Sequence, residues 1–157
     1  MDIIKQHSVF IDLFQNLLVV DDDKDEPMIK LHCLKILGGL PGIVVDINKK
    51  TASVIVDTDA PISYIDSSFV GNTEYIEEKL DFSPYLGTFS TKIYTCSTDL
   101  LVGGKPYSHK FGIPPQQLSD SLSLLGIEGI IGVELFKHSR IQIKNGELYI
   151  NDHQKKE

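Results

Sequence analysis

Residues 53–63 read Ser53-Val54-Ile55-Val56-Asp57-Thr58-Asp59-Ala60-Pro61-Ile62-Ser63. The three residues from Val54 to Val56 are all β-branched, a composition that favours a buried strand. Asp57 and Thr58 follow directly, and the proline at position 61 marks a turn. The stretch therefore predicts a buried strand that presents a carboxylate and a hydroxyl at its end, a common place for functional groups.

The chain has 157 residues, of which 41% are hydrophobic and 24% are charged. This length fits one domain whose core needs neither disulfides nor a metal. No run approaches the roughly 18 consecutive apolar residues that a membrane span requires. We therefore expect a water-soluble, single-domain protein without a membrane partner.

The formal net charge is −7, and the 15 basic residues are scattered. Nucleic acid is therefore not expected as a partner. Cys33 and Cys96 belong to no Cys-x-x-Cys motif, and the five histidines show no metal-ligand spacing. An Asp-x-Asp-x-Asp run begins at Asp21, but Glu26 replaces the glycine of a calcium loop. The sequence predicts no metal and no cofactor.

The N-terminal region has a different pattern from the rest of the chain. Apolar residues recur every three or four positions between Ile3 and Leu18, which predicts an amphipathic helix within residues 1–20. Residues 21–27 are acidic and end in a proline, as expected of an exposed linker. The helix would be an appendage or an interface element. No signal-peptide pattern precedes it, so a cytoplasmic location is expected, although a trimmed signal peptide would leave the same sequence.

From Met28 onward the apolar period changes to two, and turn signals become frequent. Gly103-Gly104 and Asn145-Gly146 are typical of two-residue hairpin turns. Many short strands with few helices predict a mostly β barrel over residues 28–150, followed by a charged tail at 151–157. The expected strands are 28–37, 43–47 and 52–56, the expected hairpins are 85–95, 100–111 and 141–150, and the expected short helices are near 118–125 and 133–138.

Two separated motifs resemble those of the retropepsins, the single-lobed, retroviral-type aspartic proteases. Val54-Ile55-Val56-Asp57-Thr58-Asp59-Ala60 resembles the catalytic strand and loop of that family. Gly129-Ile130-Ile131-Gly132-Val133-Glu134-Leu135-Phe136 resembles its apolar-apolar-Gly segment and the helix that follows. Residues 84–91 are the candidate flap between them. The resemblance implies a single-lobed acid-protease fold, a closed barrel with short helices, and leaves the N-terminal helix as an addition.

The resemblance also implies an activity. Aspartic proteolysis needs two carboxylates that share one proton, one acting as a base on water and the other donating to the substrate carbonyl. This chain has one such motif, so the resemblance implies a symmetric homodimer in which Asp57 of each protomer meets at the two-fold axis. The substrate would be a peptide or protein, and Thr58 would lock the two catalytic loops together. The implied substrate-binding residues are Asp59, Ala60, Gly87, Ile130, Ile131 and Gly132, of which the last three pack behind the loops.

Asp59 departs from the family pattern, which has glycine at this position. Glycine allows a turn without a Cβ and lets a substrate backbone approach closely, whereas aspartate adds both bulk and charge. Two functions therefore stay open: an active aspartic endopeptidase, or a catalytically inactive protease-fold module for peptide binding or dimerisation. A small barrel in which Asp57 merely initiates a turn is the remaining alternative.

Overall fold

The computed structural model describes residues 7–21, 28–35, 41–71, 73–84, 86–137 and 139–152. Within these residues strands predominate, accompanied by one α-helix and two 3₁₀ turns, Ser67–Phe69 and Val133–Phe136. The elements are β1 (Val9–Asp12), β2 (Leu17–Val20), β3 (Ile29–Lys30), β4 (Cys33–Lys35), β5 (Pro41–Ile47), β6 (Lys50–Asp57), β7 (Ser63–Ile65), β8 (Glu77–Ser83), β9 (Gly87–Val102), β10 (Lys105–Gly112), α1 (Gln116–Leu124), β11 (Gly129–Gly132), β12 (Ser139–Lys144) and β13 (Glu147–Asp152).

The strands form two sheets, with the orders β2-β1-β12-β13-β3 and β4-β5-β6-β11-β7-β10-β9-β8. In the larger sheet β5 also pairs with β9, through Asp46 opposite Leu101 and Ile47 opposite Leu100. This pairing closes six strands, β5-β6-β11-β7-β10-β9, into a ring, which removes their free edges. The predicted fold class, a mostly β closed barrel with short helices, is confirmed.

The barrel core follows from the alternation of side chains along its strands. Ile43, Val45 and Ile47 of β5 are at most 2% exposed, and so is Val54 on the neighbouring strand β6. Side chains at every second position of a strand point to the same face, so these residues line the interior. Burial of each large apolar side chain contributes roughly 1.5–3 kcal/mol. The same core includes Phe111, Phe136, Leu100 and Ile131.

Two-residue turns with positive φ at both positions connect three pairs of strands. Both central residues of such a turn need the left-handed region, which glycine and asparagine adopt most readily. The hairpin turns predicted at Gly103-Gly104 and Asn145-Gly146 are confirmed. The φ values are 50° and 64° at Asn48 and Lys49, 59° and 80° at Gly103 and Gly104, and 53° and 74° at Asn145 and Gly146.

The amphipathic helix predicted for residues 1–20 is wrong over residues 9–20, where the chain forms the hairpin β1–β2. Residues 1–6 lie outside the described part. Strand β1 pairs with β12 and buries Val9 and Phe10, while Asp12 accepts hydrogen bonds from Arg140 of that strand. Asn16, with φ of 52°, completes the connecting turn. Pairing with a distant strand therefore outweighs the local spacing of apolar residues.

The domain boundaries change accordingly. β1 lies inside the five-stranded sheet, between β2 and β12, so residues 9–20 belong to the domain and are not an appendage. The predicted linker lies outside the described residues, apart from Asp21. β13 continues to Asp152, so residues 151 and 152, predicted as tail, belong to a strand.

Two other elements differ from the prediction. The strand predicted at 28–37 consists of the short strands β3 and β4, with residues 36–40 outside the described part. The helix predicted at 133–138 is the 3₁₀ turn Val133–Phe136, and His138 is not described. α1 falls where a short helix was expected. Among the described residues, no helix combines the length and the apolar character needed to cross a membrane.

Candidate active site

Asp57 is the last residue of β6, and its side chain is exposed. Its Oδ1 accepts the backbone N–H of Asp59 at 3.0 Å, and its carbonyl oxygen accepts the N–H of Ala60 at 3.3 Å. No described residue hydrogen-bonds to Oδ2. The turn thus fixes the carboxylate through one oxygen and leaves the other without a hydrogen bond from the described residues.

Thr58 and Asp59 occupy the exposed tip of this turn. The φ of Asp59 lies outside the left-handed region, since it is absent from the positive-φ residues of the described chain. Only a positive φ would make glycine necessary for the backbone conformation itself. Aspartate therefore fits this turn without backbone strain, and its effect on a site would come from its volume and charge.

The second sequence motif lies directly behind the turn. β11 runs parallel to β6, with Gly132 opposite Asp57. The N–H of Val133 donates to the carbonyl oxygen of Ala60 at 3.1 Å. A Cβ on Gly132 would lie 2.4 Å from that same oxygen. The two motifs singled out from the sequence are thus in direct contact, and the contact requires glycine at position 132.

The other predicted substrate-binding residues fall in different places. Ile131 is fully buried in the barrel core, behind the turn, and its part in substrate binding stays a prediction. Ile130 is half-buried and packs against Ile55 and Leu122 on the other face. Gly87, with φ of 73°, begins β9 next to a hairpin turn. Contact of Ile130 and Gly87 with substrate stays a prediction.

The candidate flap at residues 84–91 covers the turn of a longer hairpin and the start of β9. Its other strand, β8, was not expected from the sequence. Tyr64, buried in β7, donates its hydroxyl to Asp81 of β8. Burial, together with the Asp81 carboxylate, raises the pKa of Tyr64 far above its usual value. The hairpin is therefore tied to the strand that follows the Asp57 turn.

Ser63 and His109 form a buried polar pair beneath the site. The Oγ of Ser63 lies 2.7 Å from Nε2 of His109 and accepts the N–H of Gly132 at 2.8 Å. Burial disfavours the charged imidazolium and lowers the pKa of His109 to about 4, although Glu134 acts in the opposite direction. The sequence showed only that His109 has no metal-ligand spacing to the other histidines. Its link to Ser63 was missed because 46 positions separate the two residues.

A cavity elsewhere in the protein does not coincide with this site. A cavity of about 160 Å³ lies beside α1 and is lined in part by Asp66, Leu122 and Glu128. Glu128 directly precedes β11, which ends at Gly132 opposite Asp57, so the cavity lies at the other end of that strand from the Asp57 turn. Within the described ranges, no group of three or more histidine, cysteine or acidic side chains could hold a metal ion.

No protein-family model matches the chain, and no curated protein matches it. Among solved structures, the chain is similar to a foamy viral protease-reverse transcriptase determined in complex with an RNA/DNA hybrid. The identity is 18% and the TM-score is 0.48, over 62% of this chain and 11% of that chain. The match spans a small part of the viral protein. The likeness is distant, and it concerns fold alone.

Proposed function

We propose that this chain is a retropepsin-like aspartic endopeptidase, in which Asp57 of each protomer of a homodimer forms the catalytic pair. The observation that carries the proposal is the Asp57 turn. An exposed carboxylate ends a buried strand, one of its oxygens is held by the Asp59 N–H, and the turn rests on Gly132 of the parallel strand. A carboxylate that is fixed before substrate arrives needs little reorganisation during the reaction.

In the proposed mechanism the two Asp57 carboxyl groups share one proton. The ionised group takes a proton from a water molecule, which attacks the peptide carbonyl, and the protonated group donates to the carbonyl oxygen. Oδ2, which no described residue binds, is the oxygen placed to meet that water. Oδ1 keeps its bond to the Asp59 N–H and maintains the orientation of the group.

Dimerisation follows from the single Asp-Thr motif, because one carboxylate cannot share a proton with itself. Thr58 is exposed, and its hydroxyl makes no hydrogen bond to the described residues of its own protomer. It is therefore available to bind the turn of a second copy across an isologous interface. Asp59 of both protomers would add two further negative charges close to the shared pair.

The substrate we propose is an extended peptide beneath the β8–β9 hairpin. The hairpin is connected to the strand after the catalytic turn through Asp81 and Tyr64, and the ring of Phe89 lies 6.1 Å from that of Tyr64. A hairpin held in this way can cover a peptide whose backbone pairs with neighbouring strands, as in other cases of strand addition.

A second candidate is an inactive module that keeps the fold for peptide binding or dimerisation. The bond from the Asp59 N–H to Oδ1 of Asp57 is the bond that an aspartate makes when it only initiates a turn. Asp66 makes the same bond to the N–H of Ser68 at 2.9 Å. The geometry of the Asp57 turn is thus compatible with a purely structural aspartate.

Cleavage of a diverse peptide library between pH 3 and pH 7 separates the two candidates. The wild-type protein should cleave, and Asp57→Asn should abolish cleavage without loss of folding. Asp66→Asn is the matched control, since it changes an equivalent turn aspartate elsewhere, and it should retain activity. Persistent cleavage by Asp57→Asn would exclude the mechanism.

Asp59→Gly resolves the role of the unusual residue. Cleavage by this variant alone supports the inactive module as the natural state of the chain. If neither protein cleaves, the peptidase proposal is wrong. Sedimentation at tens of micromolar is an independent check, because a strict monomer at those concentrations could not form the shared site.

A further inference from the structure

We propose that His109 is a positioning residue that holds the Asp57 turn in place through Ser63. Neither side chain reaches the surface, since Ser63 is 2% exposed and His109 is 6% exposed. They belong to β7 and β10, two strands that pair in parallel next to β11. The pair therefore connects the barrel interior to the strand on which the catalytic turn rests.

The hydrogen bonds around Ser63 define which atoms donate. The N–H of Gly132 can only donate, so the Ser63 oxygen accepts this bond. Among the described residues no other atom accepts from the Ser63 hydroxyl, so we assign its proton to the bond with His109 Nε2, 2.7 Å away. This arrangement requires a neutral imidazole with its proton on Nδ1. The neutral ring fixes the rotation of the hydroxyl, and the hydroxyl oxygen fixes the N–H of Gly132.

Gly132 transmits this constraint to the turn. The N–H of the neighbouring Val133 donates to the Ala60 carbonyl. The Cα of Gly132 approaches the same carbonyl so closely that a Cβ at position 132 would not fit. Gly132 also lies opposite Asp57 in the parallel pairing. A shift of the Gly132 backbone must therefore move the turn that carries the catalytic carboxylate.

The connection should fail in acid. Burial keeps the pKa of His109 near 4, so the ring stays neutral through most of the range in which an aspartic peptidase works. Below that pH, Nε2 acquires a proton and becomes a donor, and the Ser63 hydroxyl loses its acceptor. Ser63 faces the ring from β7, and the Phe111 ring packs edge-on against it, with 5.0 Å between the two ring centroids. Glu134 is the charged group among the described residues that acts on the ring.

An effect of His109 on catalysis would rest on the proposed function, so the decisive test measures the position of the turn and not activity. NMR titration from pH 3 to pH 7 would follow the His109 ring and the backbone amides of Ala60, Gly132 and Val133. The Asp57→Asn/Asp59→Asn background removes the carboxylates of the turn itself. We expect the three amide signals to shift with the midpoint of the His109 ring. His109→Gln, whose side-chain carbonyl can accept the Ser63 hydroxyl without titrating, should remove this transition and keep the signals at their neutral-pH positions.

A transition of these amides that persists in His109→Gln would overturn the proposal, as would amides that do not respond to titration of the ring.

If the wild-type protein cleaves peptide, a second readout applies. His109→Phe keeps a ring but offers no acceptor, and it should lower kcat by about tenfold with little change in KM, because small displacements of catalytic groups are costly. His109→Gln should restore the rate and extend activity to lower pH. Absence of cleavage by the wild-type protein would count against the peptidase only, since the titration is independent of it.

Discussion

The backbone of Gly132 lies against the carbonyl of Ala60 with no space for a side chain, since a Cβ at position 132 would be 2.4 Å from the carbonyl oxygen. This contact joins the end of β11 to the turn that follows β6. It explains why a short apolar-apolar-Gly segment, 75 positions after Asp57, belongs to the same site as that aspartate.

Gly132→Ala should destabilise the protein by about 1–3 kcal/mol, as overpacking does elsewhere, and should displace the Asp57 turn. Urea unfolding measures the first effect, and amide shifts of Thr58, Asp59 and Ala60 report the second. Gly129→Ala is the matched control, because its Cβ would lie equally close to the Tyr64 carbonyl at the other end of the strand. Unchanged turn amides in Gly132→Ala would contradict the contact.

The bond between Tyr64 and Asp81 should hold the β8–β9 hairpin to the barrel. Tyr64→Phe removes the hydroxyl and should cost about 1.5–3 kcal/mol, the range for hydrogen bonds to charged groups. Amide hydrogen exchange in β8 should accelerate more than exchange in β6. Ser90→Ala removes an exposed hydroxyl-to-carboxylate bond from the same hairpin and should have little effect. If the amides of β8 are equally protected from exchange in Tyr64→Phe and Ser90→Ala, the bond between Tyr64 and Asp81 does not hold the hairpin to the barrel.

The N-terminal hairpin depends on a buried ion pair. Asp12 is 2% exposed and accepts from Arg140 at 3.2 Å, so Arg140→Met takes a charged partner away from a buried carboxylate. The free energy of unfolding of Arg140→Met should be lower by about 3–5 kcal/mol. Lys30→Met breaks the exposed pair with Glu147 in the same sheet and should change stability little. Urea unfolding of both variants provides the comparison, and similar stabilities would contradict the assigned burial of Asp12.

Stability should fall in mild acid because of His109. Its pKa is about 4 in the folded protein and 6.5 in the unfolded chain, so the unfolded chain binds the proton first as the pH decreases. The free energy of unfolding should therefore drop between pH 6.5 and pH 4, by about 3 kcal/mol in total. In His109→Gln the free energy of unfolding, measured by urea titration at several pH values, should change less between pH 6.5 and pH 4, by that amount. Parallel curves for the two proteins would show that this histidine does not titrate as described.

Much of the barrel was predictable because its signals are local. Positive-φ turn residues and alternating apolar residues identified the hairpins at Gly103-Gly104 and Asn145-Gly146 and the strands β5 and β6. The contact between Asp57 and the segment ending at Gly132 followed from a family resemblance and not from spacing.

The N-terminal hairpin was not predictable in the same way. Apolar residues in positions 9–20 fit a helix locally, and only the pairing of β1 with β12, more than 120 positions later, makes them strands. β8 was missed because its apolar residues Leu80 and Phe82 lie on the outward face, at 76% and 65% exposed, whereas a half-buried strand has its apolar residues on the inward face. The pair of Ser63 and His109 has no sequence signal, since parallel pairing of β7 with β10 brings them together.

The most direct test of the shared catalytic pair is the cleavage rate of mixed protomers. Wild-type and Asp57→Asn proteins would be combined at a fixed total concentration and left until protomers exchange, with Asp66→Asn in place of Asp57→Asn as the control. A site built from both protomers predicts a rate that follows the square of the wild-type fraction, so an equal mixture cleaves at about one quarter of the wild-type rate, whereas the control mixture keeps the full rate. A rate of about one half, as for protomers that act independently, or no cleavage by the wild-type protein, would contradict the account.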